Sequence, residues 1–225
     1  SNDHAFAALK SDGSVKAWGD SSYGGADPGI TSGVTEIFST RYAFAALKTD
    51  GSVQVWGSSS YGGANPGITS GVTKIFSTLE AFAALKTDGS VKVWGYANHG
   101  GANPGITSGV VDIVSTGYAF AALKSDGSVK AWGDIWQGGA DPGITSGVTK
   151  IFSNDGAFAA VKTDGSVKAW GYSARGGTDP GITSGVTKIF STSRSFAALK
   201  TDGSVQVWGD SNYGGTDPGI TSGVT

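Results

Sequence analysis

Aspartate recurs along the sequence at a fixed interval of 38 residues and is followed each time by glycine. If these side chains met on one surface they would form a carboxylate array, and paired carboxylates ligate metals or act as general acids and bases. Asp-Gly is also a favoured pair for a tight hairpin turn, because glycine adopts positive φ without strain. We therefore assign these aspartates to hairpin turns. They are Asp12, Asp50, Asp88, Asp126, Asp164 and Asp202.

The other reactive side chains form no recurrent catalytic set. The two histidines, His4 and His99, occupy different positions of the repeat, which predicts neither a metal pair nor a general base. Serine is abundant, but no Ser/His/acid combination recurs. The absence of cysteine removes disulfides, thiolate metal ligands and a cysteine nucleophile. GGADPG lacks the lysine and the following helix of a phosphate-binding loop. The sequence therefore predicts neither an enzyme nor a cofactor or metal site.

The element that positions these residues is a 38-residue unit, of which residues 40–77 are one copy. Its tryptophan and its proline recur in the same register along the chain, without insertion or deletion. A unit this short cannot bury its own apolar face, so the copies must stack into one body. We predict a single domain over residues 1–225. Six full units would contain three more residues, and we expect the chain to be a trimmed piece of a longer protein.

Each unit has the pattern of three short strands. AFAALK at 43–48 is an apolar run bounded by a turn, SVQVWG at 52–57 returns after the Asp-Gly pair, and VTKIFS at 72–77 is rich in β-branched and aromatic residues. The glycine- and proline-rich connection between the last two has no helical period, and the Asp or Asn before its proline indicates a loop hydrogen bond. We predict an all-β fold: a β-propeller of six 38-residue repeats, with about three antiparallel strands per blade, no helix, and the six repeated tryptophans in the core.

Two stretches carry a resemblance to known proteins. DGSVQVWGSSSYGG and GVTKIFSTLEAFAALKTDG resemble the repeats of the regulator of chromosome condensation (RCC1) family, with its pattern of DG, V-x-x-W-G and then Y-G. The short period resembles that of the bacterial beta-lactamase inhibitor protein II, a propeller of three-stranded blades. The resemblance covers all six units, whereas those relatives have seven. It implies a propeller that binds proteins, and in the inhibitor's case one that plugs the mouth of an enzyme's active site.

Two windows of the repeat differ in almost every copy, whereas the rest hardly changes. The first window follows the third strand, at residues 2–4, 40–42, 78–80, 116–118, 154–156 and 192–194. The second window follows Trp-Gly, at residues 20–23, 58–61, 96–99, 134–137, 172–175 and 210–213. AFAALK runs away from the first window and the next strand returns, so both windows should lie at the same end of a blade. In a closed ring all of them would share one face.

The windows hold all seven tyrosines, all three arginines, both histidines and Trp136, and no lysine. This is the composition of an antibody-like paratope. We predict Ile135 and Trp136 as its anchors, because two bulky apolar side chains have little structural purpose in a window otherwise made of Ser and Asn. The tyrosines before Gly-Gly are explained equally well by scaffold packing. The predicted partner-binding residues are Asp3, His4, Arg41, Tyr42, Leu79, Glu80, Tyr96, Asn98, His99, Tyr118, Ile135, Trp136, Gln137, Asp155, Tyr172, Arg175, Arg194 and Tyr213.

The bulk charge narrows the partner class. A net charge of −2 and a pI near 5.6 argue against nucleic-acid binding, and no apolar run reaches the length of a membrane span. We predict a non-catalytic module that binds a protein partner, with a secreted or cell-surface location favoured. Closure or oligomerisation with another chain is a further expectation. The alternatives are a carbohydrate-binding propeller lectin, which would repeat one sugar pocket per blade, and a passive repeat spacer of a larger surface protein.

Overall fold

The computed structural model describes residues 1–225, and regular structure other than β-strands is limited to short 3₁₀ helices. The chain forms two compact units, Ser1–Val110 and Val111–Thr225. The strands that lie in the first unit are β1 Ala5–Leu9, β2 Val15–Gly19, β3 Val34–Ser39, β4 Ala43–Lys48, β5 Val53–Gly57, β6 Val72–Ser77, β7 Ala81–Lys86 and β8 Val91–Gly95. The later strands are β9 Val110–Ser115, β10 Ala119–Lys124, β11 Val129–Gly133, β12 Val148–Ser153, β13 Ala157–Lys162, β14 Val167–Gly171, β15 Val186–Ser191, β16 Ser195–Lys200 and β17 Val205–Gly209.

The strands form six small sheets, one per repeat, which are the blades. The first blade has two strands, β1 and β2, and each of the others has three consecutive strands in sequence order. Neighbouring strands within these blades are antiparallel, so the prediction of an all-β fold with about three antiparallel strands per blade is confirmed. In the second blade, Ala43 faces Gly57 and Phe44 faces Trp56.

The Asp-Gly pairs lie in the hairpin turns, as predicted. In the second blade the Gly51 amide donates to the Lys48 carbonyl at 2.9 Å, and the Lys48 amide donates to the Ser52 carbonyl at 3.0 Å. Gly51 has φ of +73°, which matches the glycine that follows a type I turn in a three-residue hairpin loop. The Asp50 carboxylate accepts from the Ser52 amide and hydroxyl at 2.9 and 2.6 Å. These bonds close the turn.

The middle strand of an inner blade is buried on both faces. In β4, Ala43, Ala45 and Ala46 are fully buried, and Phe44 is 1% exposed. One face joins β6 and β7 of the next blade in a common core, and the other joins β1 and β2 of the preceding blade. The three alanines let neighbouring blades approach closely, because each face of β4 carries only one large apolar side chain, Phe44 toward the preceding blade and Leu47 toward the next.

A glycine of one blade receives the aromatic pair of the next. Phe44 stacks on Trp56 with ring centroids 5.2 Å apart, and the Trp56 indole donates to the Gly24 carbonyl at 3.0 Å. A β-carbon on Gly24 would lie 2.6 Å from the Phe44 ring. The same arrangement recurs in both units, with Trp94 on Gly62, Trp170 on Gly138 and Trp208 on Gly176. Contact between blades therefore dictates the first glycine of the Gly-Gly pair at Gly24, Gly62, Gly138 and Gly176.

The prediction that all six repeated tryptophans lie in the core is wrong for Trp18. That side chain is 50% exposed, whereas Trp56 is 8% exposed. Inner tryptophans are covered by the glycine of a preceding blade, and in the first blade of this unit nothing covers the corresponding side chain. Phe6, the stacking partner of Trp18, is exposed to the same degree.

The prediction of no helix is also incorrect in detail. Each second window contains a three-residue 3₁₀ helix, such as Ser59–Tyr61 or Ile135–Gln137. A single turn of three residues leaves no periodic pattern in a sequence. It ends at a glycine in the left-handed region, for example Gly62 with φ of +112°. None of the helices has the length and hydropathy that crossing a membrane requires.

Candidate functional site

The two variable windows of every blade lie at the same end of their strands. A backbone bond joins them directly: the Ser58 amide donates to the Tyr42 carbonyl at 2.9 Å in the second blade. The fourth blade repeats this bond between Asp134 and Tyr118, at 3.0 Å. The Asp-Gly turn lies at the other end of the same hairpin. Because the second strand of the hairpin runs antiparallel to the first, the variable residues of a blade lie together at one end and its invariant Asp-Gly turn lies at the other.

A buried polar residue at the start of the first window holds both windows in place. The Thr40 hydroxyl accepts from the Ala43 amide at 3.1 Å and donates to the Tyr61 carbonyl at 3.0 Å. In the fifth blade Asn154 does the same with its two amide atoms, accepting from Ala157 and donating to the Arg175 carbonyl. A hydroxyl and a carboxamide are equivalent here because each both donates and accepts.

These anchoring residues were missed when the whole window was treated as variable. The signal that identifies them is the restriction of the position to Thr or Asn, while its neighbours take many types. Four of them are 4–9% exposed, so they support the surface rather than contact a partner. The full set is Asn2, Thr40, Thr78, Thr116, Asn154 and Thr192.

First windows of adjacent blades are tied to each other through their backbones. In the first unit the Arg41 amide donates to the Leu79 carbonyl at 2.8 Å. In the second unit Gly117 donates to Asp155 at 3.0 Å, and Asp155 donates to Ser193 at 3.2 Å. The predicted site residues Leu79 and Asp155 therefore also have a structural role. These links bring the windows of neighbouring blades within one unit together.

The variable surface of the first unit, formed by residues 2–4, 20–23, 40–42, 58–61, 78–80 and 96–99, carries a row of aromatic rings. Consecutive ring centroids in the row are 4.5 to 5.8 Å apart. Rings from both windows and from several blades alternate, so the row crosses blade boundaries. Its members, in spatial order, are His4, Tyr23, Tyr42, Tyr61, Tyr96 and His99.

Two polar side-chain pairs involve the residues of this surface. The His99 Nδ1 atom lies 2.8 Å from the Glu80 carboxylate, and both side chains are largely buried. The Arg41 guanidinium lies 3.6 Å from the Asp3 carboxylate, and both are more exposed. Sequence reasoning named all four residues for partner contact, and the structure places them against one another. Asn98 lies on the exposed side of its 3₁₀ helix.

The variable surface of the second unit, formed by residues 116–118, 134–137, 154–156, 172–175, 192–194 and 210–213, carries two exposed apolar side chains. Ile135 is 61% exposed and Trp136 is 75% exposed. The Asp134 carboxylate accepts from the Trp136 amide at 2.8 Å and so caps the 3₁₀ helix that presents both. Both apolar side chains therefore project into solvent from a backbone whose conformation is fixed by the cap.

Arginines lie over tyrosines on the same surface. The Arg194 guanidinium is 4.5 Å from the Tyr213 ring centroid and 3.8 Å from the Asp210 carboxylate. The Arg175 guanidinium is 5.7 Å from the Tyr172 ring. Such cation–π geometry leaves one ring face and part of the guanidinium free for a partner.

Gln137 ends the 3₁₀ helix that carries Trp136. Its side-chain oxygen is buried and has no hydrogen-bond partner. A β-carbon on Gly156 would lie 2.9 Å from this oxygen and 3.0 Å from the Arg175 side chain, so both side chains pack closely over Gly156. Tyr118 is half-buried, and its carbonyl anchors the second window. These two predicted contact residues are therefore largely packed within the unit.

The turn aspartates lie apart from the windows, and their chemistry is structural. Hydrogen bonds from the Ser52 hydroxyl and amide lower the pKa of the Asp50 carboxyl below its ordinary value of 3.8. The same cause lowers the pKa of the corresponding aspartates in the other blades. In the proline loop, Asp27 accepts from the Gly29 amide and pairs with Lys16. The predicted loop bond is present, and the ion pair is an addition to it.

No protein-family model matches the chain, and no curated protein matches it by sequence. Solved structures match it by fold. The ectodomain of the receptor kinase CR4 from Physcomitrella patens has a TM-score of 0.59 at 16% identity, over 92% of this chain and 61% of that one. The chain thus spans less than two thirds of that ectodomain. The receptor kinase ACR4 ectodomain from Arabidopsis thaliana has a TM-score of 0.52 at 19% identity, over 91% of this chain and 80% of that one.

Prp20p from Saccharomyces cerevisiae, a yeast RCC1, has a TM-score of 0.56 at 14% identity, over 92% of this chain and 70% of that one. Identities this low establish the fold alone. Together with the blades and their repeated Phe-Trp-Gly contact, the likeness confirms the resemblance to RCC1-type repeats at the level of fold. The closer resemblance to beta-lactamase inhibitor protein II stays a prediction. The chain has the RCC1-like β-propeller fold.

Proposed function

We propose that the chain is a non-catalytic recognition module that binds a protein partner through the variable surfaces of its blades. The observation that carries the proposal is the presentation of Trp136 and Ile135. Two bulky apolar side chains, 75% and 61% exposed, stand on a capped 3₁₀ helix. Exposed apolar groups that are rigidly held and surrounded by polar side chains are typical of binding sites.

The framework behind these residues supports the proposal because it limits the entropy lost on binding. Thr116 bonds to the Gln137 carbonyl at 3.0 Å, and Asn154 bonds to the Arg175 carbonyl at 2.7 Å. Each bond fixes the end of a second window against the first. Side chains displayed on a preformed backbone bind with a smaller ordering cost than those on a mobile loop.

The chemistry of the surfaces favours a protein over a charged polymer. Tyrosine, arginine and tryptophan occur there beside Asp3, Glu80, Asp134, Asp155 and Asp210, so no surface carries charge of a single sign. Nucleic-acid sites need clustered Lys and Arg, and every lysine lies outside the windows. Interfaces between proteins use this mixture of aromatic, arginine and acidic side chains.

Structures with the same fold are described with protein partners. Prp20p is described with binding properties to Gsp1p and histones, and yeast RCC1 is described bound to Kap60. These partners belong to those proteins. In this chain the side chains of the two windows determine which protein binds. The resemblance to the inhibitor implies a more specific form of this proposal, in which the partner is an enzyme and the surface covers the mouth of its active site.

The lectin alternative is weakened by the packing of the aromatic row. Sugars bind on free aromatic faces, and the rings of the first unit lie 4.5 to 5.8 Å from one another, so each ring is partly covered by its neighbours. A repeated sugar pocket would also need the same residues in each window, and the windows differ.

The experiment compares capture of partners by three immobilised forms of the chain. The wild type is run beside the triple variant Ile135→Ser, Trp136→Ser, Tyr172→Ser. The control is Val111→Ser with Phe190→Ser, which removes apolar groups of 56% and 49% exposure from strands of the same unit. The proposal expects a protein retained by the wild type and the control and lost by the triple variant. Equal retention by all three, or binding confined to a glycan array, would contradict it.

A further inference from the structure

The aromatic row of the first unit carries hydrogen-bond donors that the protein itself does not use. Its four tyrosine hydroxyls make no hydrogen bond within the chain. Tyr96 is 38% exposed, the other three side chains are half-buried, and none of these hydroxyls is sealed from solvent. Because a phenol can donate as well as accept, the row presents donors across three blades. They belong to Tyr23, Tyr42, Tyr61 and Tyr96.

The rings of the row are inclined to one another rather than stacked flat. The Tyr42 ring is inclined by 45° to that of Tyr23 and by 51° to that of Tyr61, and the Tyr96 ring is inclined by 66° to that of His99. Rings inclined in this way touch along one edge and diverge at the other, which forms a wedge between them. Such a wedge accepts a small apolar ring, such as the pyrrolidine of proline, whereas a sugar needs a whole ring face.

The spacing of the rings matches the repeat of a polyproline II helix. The steps from Tyr23 to Tyr42 and from Tyr42 to Tyr61 are 5.3 and 4.8 Å, so two steps span at most about 10 Å. A polyproline II helix advances about 9 Å per turn of three residues, so the same side of the helix returns at every second ring. Its carbonyls take part in no internal hydrogen bond, and proline has no amide N–H. A ligand of this kind therefore needs donors, which the tyrosine hydroxyls supply.

One end of the row is acidic. Asp3 and Asp20 are exposed, and they lie in the windows that carry His4 and Tyr23. The Asp20 carboxylate caps its 3₁₀ helix by accepting from the Ser22 amide at 2.9 Å and is paired with no cation. The windows of this unit contain three carboxylates and one arginine, which lies near Asp3. A positively charged group of the partner is therefore attracted to this end of the row.

We infer that the aromatic row binds a proline-rich segment of a partner protein in the polyproline II conformation, with an arginine or lysine of that segment at the Asp20 end. Proline rings occupy the wedges, and the Tyr42 and Tyr61 hydroxyls donate to carbonyls of the segment. Five steps of 4.5 to 5.8 Å make the row at most about 25 Å long. At about 3.1 Å per residue, it accommodates about eight residues. A segment that is already extended loses little conformational entropy on binding, so this length suffices.

This inference rests on the proposed function and deepens it by naming the partner class of the first unit. Ile135 and Trp136, the apolar anchors, lie on the variable surface of the second unit. The two sites can therefore be tested separately. Failure of the first unit to bind a proline-rich peptide, with capture of a protein through Trp136 intact, would overturn this inference and leave the proposed function in place.

The test is fluorescence anisotropy of a labelled synthetic peptide, about nine prolines followed by two arginines, titrated with the full chain. The wild type is expected to bind it saturably. Tyr42→Phe with Tyr61→Phe keeps both rings and removes two donors, which should weaken binding roughly tenfold. Asp20→Asn keeps the helix cap and should weaken binding most at low salt. Phe190→Ser, an exposed position outside the windows, is the control and should bind as the wild type does.

A matched peptide with alanine in place of every proline gives the decisive comparison. It keeps the two arginines and loses the preformed extended helix, so the wild type is expected not to bind it saturably. Equal binding of the alanine and proline peptides would overturn the inference, as would a wild type that binds neither. Circular dichroism and the melting temperature check that the phenylalanine variant is folded. An affinity of that variant equal to the wild type's overturns the inference as well, because the hydroxyls would then donate nothing to the peptide.

Discussion

The Thr40 hydroxyl lies 3.0 Å from the Tyr61 carbonyl, and through that bond a buried side chain of the first window fixes the end of the second. Thr40 is 4% exposed, so no water replaces the bond if it is lost. The relationship explains how windows of very different sequence keep one shape. The residues that differ are displayed, and a Thr or Asn beneath them holds the backbone.

Replacing Thr40 with Val should therefore destabilise the chain. The change leaves the Tyr61 carbonyl and the Ala43 amide without their partner, which costs about 1–3 kcal/mol. Thr40→Asn is the control, because Asn154 makes the equivalent bonds in the fifth blade. Denaturant unfolding measures both. A Val variant as stable as the wild type would refute this role for Thr40.

Gly62→Ala tests the contact between blades. The added β-carbon would lie 2.6 Å from the Phe82 ring, at a residue with φ of +112°. Backbone strain and overpacking together should cost about 2–4 kcal/mol. Gly67→Ala is the matched control: its φ is +70°, and nothing lies within 4 Å of the added atom. It should cost only about 1 kcal/mol. Similar losses in the two variants would show that crowding against Phe82 contributes nothing.

The aromatic row should contribute to the stability of the first unit. Tyr42 contacts the rings of His4, Tyr23 and Tyr61 at 5.6, 5.3 and 4.8 Å. Tyr42→Ala removes these contacts and should lower the free energy of unfolding by about 1–3 kcal/mol. Tyr42→Phe retains the ring and should remain close to the wild type. If Phe and Ala cost the same, the hydroxyl rather than ring packing is responsible.

Acid should destabilise the chain through the turn aspartates. Hydrogen bonds from Ser52 lower the pKa of Asp50 in the folded chain below 3.8, so this contribution is present above that pH. It is lost as pH falls through the lowered pKa. The free energy of unfolding should therefore fall steadily as the pH is lowered below about 4, which an acid titration measures.

Asp50→Asn with Asp88→Asn should make that fall shallower, because an amide keeps the turn bond without titrating. The comparison is the slope of the free energy of unfolding against pH, between the double variant and the wild type. An unchanged slope would assign the acid sensitivity to other carboxyls.

Much of the scaffold could be predicted from the sequence because it repeats. β4 spans Ala43–Lys48 and β6 spans Val72–Ser77, as the apolar runs indicate. Pattern determines β4 because burial on both faces requires continuous apolar residues, and it determines β6 because that segment is rich in β-branched and aromatic residues. The 3₁₀ helices were not predictable, because one turn has no period and is fixed by a cap and a glycine.

The site could be predicted less completely. Strand direction correctly predicts that the two windows of a blade meet, as the bond from Ser58 to Tyr42 shows. It does not predict which side chains are already paired within the protein. Glu80 and His99, chosen for partner contact, lie 2.8 Å apart and largely buried. The exposure of Trp18 was not predicted for a related reason. A repeat pattern describes the average blade, whereas the burial of a side chain depends on which residues cover that particular blade.

The binding of a partner by Trp136 is the central claim, and the affinity of a Trp136→Ser variant for the captured protein tests it most directly. Calorimetric titration should show a loss of at least about 2 kcal/mol, or roughly 30-fold, with the melting temperature unchanged. Val111→Ser should bind as the wild type does. An affinity for Trp136→Ser equal to that of the wild type would contradict the account.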